Sequence, residues 1–280
     1  MYSPVTGLPA PVVDSFSVNE IIKGYKTELG IDVQAYFKGK TNLNLYQCSD
    51  TGLRFFYPAA LAGDPAFYTA LENRPGYYRD WKWEYDEAFQ LIEDGVSVLD
   101  IGCGRGAFLK KLKAEKDCVV TGLELNPNAF KQLLAGGMPA FQETIETHSE
   151  IHTEAYDVVA FFQVLEHISD VNSFITTALK CLKKNGLLIL AVPNNAPYMM
   201  GINKYEWLNL PPHHMGWWNE ASLTQLSRFF PMTVQRIQAC PFRDYNAYLD
   251  ALERNAKIEN GAKLGWIKTT RPIRKQWIQL

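Results

Sequence analysis

Between residues 96 and 240, short apolar runs alternate with segments that carry apolar residues at helical spacing. The runs predict buried strands at residues 96–101, 118–125, 138–142, 155–163, 187–192 and 232–239, and the other segments predict helices at 107–116, 128–134, 170–182 and 220–230. Because the strands are apolar along their length rather than at alternate positions, both faces of the sheet must be covered. The pattern therefore predicts an α/β fold with a mostly parallel, doubly wound sheet and helices on both faces.

The chain divides into three zones of different character. Residues 1–85 are rich in aromatic residues, broken by Pro and Gly and weakly periodic, which predicts an N-terminal cap or lid. Residues 86–240 form the predicted main domain. Residues 241–280 form a basic C-terminal segment with eight Lys and Arg against four acids, so the rest of the chain carries a charge of −6. A weak contact of this segment with an anionic surface is expected.

Composition removes several classes of protein. With 47% hydrophobic and 21% charged residues the chain is an ordinary globular protein, and a net charge of −2 argues against a dedicated nucleic-acid binder. The five cysteines are scattered without a CxxC pair, so neither a disulfide framework nor a zinc ribbon is predicted. The start shows no signal-peptide pattern and the apolar runs are too short to cross a bilayer, so a cytoplasmic location is expected.

A glycine-rich turn follows the first strand of the main zone, where residues 99–106 read LDIGCGRG. The glycines at 102, 104 and 106 allow the backbone to approach a ligand closely. Their spacing differs from the G-x-G-x-x-G of dinucleotide sites, and Asp100 just before the turn would repel a pyrophosphate. An acid at this place suits a ligand that carries an ammonium group.

The second strand ends at Glu124 and Leu125, and Glu124 lies twenty-two residues after Gly102. A carboxylate at the end of this strand is placed to accept the hydroxyls of a ribose. A ribose partner next to a turn that tolerates an ammonium group predicts S-adenosylmethionine as the ligand. We expect Cys103, inside the turn, to be a small buried hydrophobe beside this ligand rather than a nucleophile.

This stretch, together with YDVV at 156–159, QVLEHI at 163–168 and LKKNG at 182–186, resembles the class I S-adenosylmethionine-dependent methyltransferases. The resemblance covers roughly residues 85–240 and is closest to the branch with ubiquinone-biosynthesis O-methyltransferases and sugar or natural-product enzymes. It implies a Rossmann-like fold with S-adenosylmethionine as cofactor. It further implies that Glu143 or its neighbour Thr144 contacts the adenine amine, and that Gln163 and Val164 flank the cofactor.

Methyl transfer from a sulfonium is an in-line displacement, and a base is needed only if the acceptor must lose a proton. The candidate catalytic residues are His167, His213 and His214. We expect His213 or His214 to touch the acceptor, because the family has a histidine before the corresponding helix. The aromatic stretch at 77–85 could cover the cofactor, and Tyr78 is expected near the site.

In some relatives, small-RNA 2′-O-methyltransferases and quinone O-methyltransferases, an E-x-x-E-H motif supplies metal ligands. Here Gln163 replaces the first acid and is a poorer ligand for a hard cation. The sequence therefore predicts no metal, with Glu166 and His167 bracing the following loop. The alternative is that Glu166, His167 and one of His213 and His214 meet at the sheet edge.

The predicted function is methyl transfer to an oxygen or nitrogen acceptor on a small or medium-sized metabolite or glycan-linked intermediate. No nucleic-acid partner is expected. Two alternatives stay open: an RNA-directed, metal-assisted 2′-O-methyltransferase, and a cofactor-binding module without turnover. The oligomeric state and the choice between oxygen and nitrogen are not decided by the sequence.

Overall fold

The computed structural model describes residues 1–72, 77, 81–195 and 205–240. Residues 1–194 and 207–237 form one compact unit, and residues 195–206 and 238–280 belong to a second. The predicted site residue Tyr78 and the basic segment 241–280 lie outside the described residues. The division of the chain at residues 85 and 240 stays a prediction.

Within the described ranges, strands and helices alternate through the central part of the chain. The strands are β1 (Val12–Ser17), β2 (Asn42–Gln47), β3 (Arg54–Phe56), β4 (Ser97–Ile101), β5 (Val119–Leu123), β6 (Ala140–Phe141), β7 (Tyr156–Phe162), β8 (Leu182–Ala191) and β9 (Gly216–Trp217). The α-helices are α1 (Val18–Gly24), α2 (Pro65–Glu72), α3 (Trp83–Leu91), α4 (Ala107–Lys116), α5 (Pro127–Ala135), α6 (Ile145–His148), α7 (Val171–Cys181) and α8 (Glu220–Thr224). Short turns of other helical types include Leu165–His167, Trp207–Asn209 and Gln225–Arg228.

The central sheet has five strands in the order β6-β5-β4-β7-β8, and all of its neighbouring strands run parallel. Successive residues of β4 show why its sequence is apolar throughout. Leu99 packs into the cluster that contains Phe174 of α7, whereas Val98 packs into the cluster that contains Phe108 of α4. Both faces are therefore covered by helices, which confirms the predicted fold class.

A second, antiparallel sheet occupies the zone that the sequence predicted only as an aromatic cap. Its order is β1-β2-β3-β9, so its last strand comes from residues far along the chain. Trp217 of β9 is fully buried and packs edge-on against Phe16 and Phe56, with ring centroids 5.8 and 5.3 Å away. Aromatic packing between distant segments thus carries the segment that follows His213 and His214 to this sheet.

Three predicted elements differ from the structure. Residues 232–239 form no strand: none of them is buried, and they pair with no strand in the described part. The predicted helix 220–230 is α8 followed by a tighter turn, Gln225–Arg228. The strand predicted at 187–192 begins earlier, at Leu182, and contains a bulge, where Asn185 takes a φ of 63° and the register with β7 shifts.

Asp157 ties the starts of three strands of the parallel sheet together. Its Oδ2 accepts hydrogen bonds from the backbone N–H of Ser97 at 2.9 Å, from the Ser97 hydroxyl at 2.5 Å and from Lys183 Nζ at 2.9 Å. The hydrogen bonds from Ser97 and then Lys183 lower the pKa of Asp157 to about 2.

Among the described ranges, every helix is too short or too polar to span a bilayer.

Candidate active site

The glycine turn leaves β4 and enters α4 through a left-handed backbone. Gly102, Gly104 and Gly106 have φ values of 71°, 57° and 72°, a region that residues with a Cβ rarely adopt. A Cβ on Gly102 would lie 2.6 Å from Val164 Cγ2, and one on Gly106 would lie 2.4 Å from Leu133 Cδ2. The expectation that glycine makes room for a ligand is thus incomplete, since at these two positions the space is filled by the protein itself.

Asp100 lies on β4, directly under the turn, and is only 1% exposed. Its Oδ1 has no hydrogen-bond partner among the described residues. Burial raises the pKa of Asp100 to about 8, opposed by the charge of Lys82 and reinforced by Glu124. A buried carboxyl with an unsatisfied oxygen is costly, and a ligand ammonium group would satisfy it.

Glu124 follows β5, the parallel neighbour of β4, so both acids lie at the carboxyl edge of the sheet. Its Oε2 accepts the backbone N–H of Gly104 at 2.8 Å, and its Oε1 accepts that of Asn126 at 2.7 Å. Burial raises the pKa of Glu124 against the effect of these hydrogen bonds. The carboxylate therefore also holds the glycine turn in place, a role that sequence reasoning missed.

A second group of polar residues brings together two segments that are more than 40 positions apart. Glu166, 1% exposed, sits in the turn after β7, and its Oε1 lies 3.9 Å from His167 Nε2 and 4.0 Å from His214 Nε2. The rings of His213 and His214 stack at 4.4 Å, and one nitrogen from each of the three histidines lies within 4.8 Å of the others. We call these four residues the histidine–glutamate cluster.

Burial sets the charge of the cluster. It lowers the pKa of His167 to about 4, that of His213 to about 3 and that of His214 well below its usual range, so all three rings are neutral at pH 7. Burial also raises the pKa of Glu166 to about 8. The cluster is thus a group of uncharged nitrogen acceptors around a carboxyl that is held in a nearly dry environment.

Two side chains, Lys82 and Tyr77, interact electrostatically with acids of both the cluster and the glycine-turn region. The charge of Lys82 acts on Asp100 as well as on Glu166. Tyr77, whose pKa burial raises, is affected by the charges of both Glu166 and Glu124. The two groups of residues therefore lie close enough to act electrostatically on the same side chains.

The family model of a methyltransferase domain matches residues 71–229, more than half of the chain. The chain belongs to the class I S-adenosylmethionine-dependent methyltransferases. This confirms the resemblance and, with it, S-adenosylmethionine as the cofactor. The unpartnered oxygen of Asp100 and the left-handed turn fit the amino-acid end of that molecule.

Among curated proteins, the chain is similar to several ubiquinone biosynthesis O-methyltransferases, including those of Sodalis glossinidius and Vibrio atlanticus. The one from Sodalis glossinidius is 36% identical over 122 residues, 41% of this chain and 49% of that protein. The one from Vibrio atlanticus is 37% identical over 150 residues, 47% of this chain and 63% of that protein. The chain thus spans between about half and two thirds of the length of these relatives.

Solved structures include more distant likenesses. A cyclopropane synthase from Mycobacterium tuberculosis is 19% identical, with a TM-score of 0.47, over 70% of this chain and 75% of that chain. A coclaurine N-methyltransferase, whose structure holds N-methylheliamine and SAH, is 17% identical with a TM-score of 0.47, over 62% of this chain and 56% of that chain.

Other predicted site residues of the chain lie beside the turn. Cys103 is buried, and burial raises the pKa of its thiol, which agrees with its predicted role as a small hydrophobe. Leu125 is 58% exposed at the sheet edge. Gln163 takes a φ of 59° and its amide donates to Glu84 Oε1 at 3.3 Å, whereas Val164 packs beneath Gly102.

The two residues predicted for the adenine contact differ in what they do. Thr144 caps α6, where its Oγ1 accepts the backbone N–H of Thr147 at 3.4 Å. Glu143 Oε1 lies 2.7 Å from Nδ1 of His148, whose Nε2 is 2.8 Å from the Tyr156 hydroxyl. Both side chains therefore have a partner within the protein, and the contact of either with the adenine amine stays a prediction.

Sequence reasoning missed the tyrosines that meet the histidines. The Tyr77 hydroxyl lies 3.1 Å from His213 Nε2, and the Tyr68 hydroxyl lies 3.2 Å from His167 Nδ1. The aromatic stretch at 77–85 predicted a cover over the cofactor but did not indicate which ring would reach the site. The structure brings all three predicted catalytic histidines together. The sequence had predicted that only one of His213 and His214 would lie beside His167.

Proposed function

We propose that this chain transfers the methyl group of S-adenosylmethionine to a hydroxyl oxygen of a small or medium-sized metabolite or glycan-linked intermediate. The observation that carries the proposal is the pair of buried carboxylates, Asp100 and Glu124, at the ends of adjacent parallel strands beside the glycine turn. The choice of oxygen is supported by the names of the relatives, which are O-methyltransferases.

In this proposal the donor site is the carboxyl edge of β4 and β5. When bound, S-adenosylmethionine supplies a methyl group that is already activated by the sulfonium. Asp100 would pair with the ammonium group through its unsatisfied oxygen. Glu124 would accept the ribose hydroxyls while its two oxygens keep the N–H groups of Gly104 and Asn126 in place.

The histidine–glutamate cluster would hold the acceptor. Neutral imidazoles accept a hydrogen bond from a hydroxyl, which orients its oxygen for in-line attack. A ring with a pKa of about 3 or 4 is a weak base, so in a purely histidine-assisted reaction the proton would leave the hydroxyl late, as the methyl group arrives. His213 or His214 is proposed to touch the acceptor, and His167 to orient it.

The test is to incubate the full chain with methyl-labelled S-adenosylmethionine and four acceptor classes: catechols and phenols, sugars, amines, and short RNA with free 2′-hydroxyls. We expect transfer to a phenolic or sugar hydroxyl. Glu124→Gln should lower donor affinity at least tenfold, since an amide N–H₂ would face one of two backbone donors. Glu150→Gln, an exposed change outside the site, is the matched control.

Each other result has a distinct meaning. Absence of donor binding would overturn the whole proposal, and transfer to amines alone would overturn the choice of oxygen. Transfer to RNA alone would favour the RNA-directed alternative, for which the assembled Glu166, His167 and His214 are the supporting observation. Donor binding with no product in any class would identify a binding module without turnover.

A further inference from the structure

We propose that Glu166, His167, His213 and His214 form a binding site for one divalent transition-metal ion of the Zn²⁺ and Co²⁺ class. The proposal changes the sequence-based expectation that Glu166 and His167 only brace a loop. It also deepens the proposed function, on which its catalytic meaning rests, by placing a cation at the acceptor end of the same site.

The first argument is the tautomer of the three rings. His167 Nδ1 lies 2.6 Å from the carbonyl oxygen of His213, and His213 Nδ1 lies 2.7 Å from that of Leu208. His214 Nδ1 lies 3.0 Å from Asn209 Oδ1. Since these oxygens can only accept, each Nδ1 must carry the proton, and each neutral ring keeps its lone pair on Nε2.

This arrangement is what metal-binding histidines require. A ligating imidazole usually donates its other N–H to a carbonyl or carboxylate, which fixes the tautomer and the orientation of the ring. Here all three histidines meet that condition. A set of histidines that only filled space would have no reason to use the same nitrogen as donor three times.

The second argument is the carboxylate among them. Glu166 is 1% exposed, and its Oε2 has no hydrogen-bond partner among the described residues. Its Oε1 lies 3.9 and 4.0 Å from Nε2 of His167 and His214, too far for hydrogen bonds. A cation between these atoms would satisfy the carboxylate and the lone pairs together.

The distances show how far the ligands must move. With metal–nitrogen bonds of about 2.0 Å, tetrahedral ligand atoms stand roughly 3.3 Å apart. The Glu166 contacts would then shorten by less than about 1 Å, and the loosest histidine pair, at up to 4.8 Å, by roughly 1.5 Å. The Tyr77 hydroxyl, 3.1 Å from His213 Nε2, would have to yield that nitrogen to the ion.

The ligand types define the class of ion. Three imidazoles and one carboxylate suit borderline cations such as Zn²⁺ and Co²⁺, whereas Mg²⁺ and Ca²⁺ prefer oxygen ligands. Gln163, at the position of a carboxylate in some relatives, donates its amide to Glu84 instead. The set is thus richer in nitrogen than the E-x-x-E-H pattern, because His213 joins it.

The experiment titrates Co²⁺ into the chelator-treated full chain without methyl donor or acceptor, and follows visible absorption. We expect one equivalent to bind with an absorption band of four- or five-coordinate cobalt, Zn²⁺ to displace it, and millimolar Mg²⁺ to leave it. Glu166→Gln and His213→Gln should each weaken Co²⁺ affinity by at least about 10- to 100-fold, the loss that is typical even for residues that only orient a ligand. His152→Gln is the matched control, since this half-buried histidine lies outside the cluster.

Lack of a cobalt band in the unmodified chain would overturn the proposal, whatever the variants do. So would displacement by Mg²⁺ as readily as by Zn²⁺, or equal weakening in His152→Gln and His213→Gln. Circular dichroism of each variant identifies loss of fold, in which case the unmodified chain and the folded variant decide. Because no methyl donor is present, failure here leaves methyl transfer untouched, and an inactive chain can still bind cobalt.

Discussion

Asp100 should couple binding of the methyl donor to pH, and Asp100→Asn is the perturbation that reveals it. In the unmodified protein burial raises the pKa of this carboxyl to about 8. Below that pH the group is protonated, and it must lose its proton before it can pair with the ammonium group of S-adenosylmethionine. Donor affinity should therefore rise with pH, and the neutral amide should abolish the rise.

The magnitude follows from one proton. Between pH 6 and pH 7, well below a pKa of about 8, affinity should increase about tenfold, which corresponds to roughly 1.4 kcal/mol. The increase should end near pH 8, because above that pH the α-amino group of the donor itself loses its proton. Stability without ligand has the opposite sign: since the folded-state pKa is raised above the ordinary 3.8, this group makes stability fall as pH rises from about 4 to about 8, by on the order of 1 kcal/mol per unit.

The assay is isothermal titration calorimetry with S-adenosylmethionine at pH 6, 6.5 and 7, in buffers of different ionisation enthalpy. Buffer dependence of the heat counts the protons released, and we expect close to one at pH 6.5. Thermal unfolding at pH 5 and pH 8 measures the second effect. Asp50→Asn is the control for loss of one negative charge, because Asp50 lies in a turn fifty positions before Asp100.

Two results would refute this reasoning. If Asp100→Asn binds the donor at pH 8 as tightly as the unmodified protein, the carboxylate does not hold the ammonium group. If donor binding releases no proton at pH 6.5, the carboxyl is already ionised and its burial does not control its charge. The variant should also be the more stable protein at pH 8 without ligand, as expected for a residue kept for function.

Three further changes test the turn and the sheet. Gly106→Ala should lower the free energy of unfolding by roughly 3 kcal/mol, because the φ of 72° is left-handed and the added Cβ would collide with Leu133. Gly137→Ala is the control and should cost about 1 kcal/mol, since its φ is 67° but the space around it is open. Equal melting temperatures of the two variants would contradict this reasoning. Glu124→Gln should lower the melting temperature as well as donor affinity, because one backbone N–H loses its acceptor; an unchanged melting temperature would show that the turn does not depend on the carboxylate. The pKa of Asp157, about 2, lies below its ordinary value, so the ionised carboxylate stabilises the fold above about pH 4 and this stabilisation is lost as the pH falls towards 2. In acid unfolding, Asp157→Asn should therefore lose less stability over this pH range than the unmodified protein. An unchanged acid unfolding profile would argue against this role of Asp157.

The sequence by itself determined the central sheet and the residues of the proposed donor site. Strands β4 and β7 bury residues on both faces, so they read as continuous apolar runs, and each helix between strands has a local period. The left-handed turn demands glycine at 102, 104 and 106, which leaves a direct trace in the sequence. Asp100 and Glu124 could be placed because parallel strands end at the same edge of the sheet.

Only the tertiary structure decided the second sheet and the histidine–glutamate cluster, the proposed acceptor end of the site. β3 pairs with β9 across roughly 160 residues, and His214 reaches Glu166 across more than 40. Such contacts depend on packing between segments that carry no common period, as with Trp217 against Phe16. For the same reason the strand predicted at 232–239 was wrong, since an apolar pattern forms a strand only where a neighbour exists to pair with it.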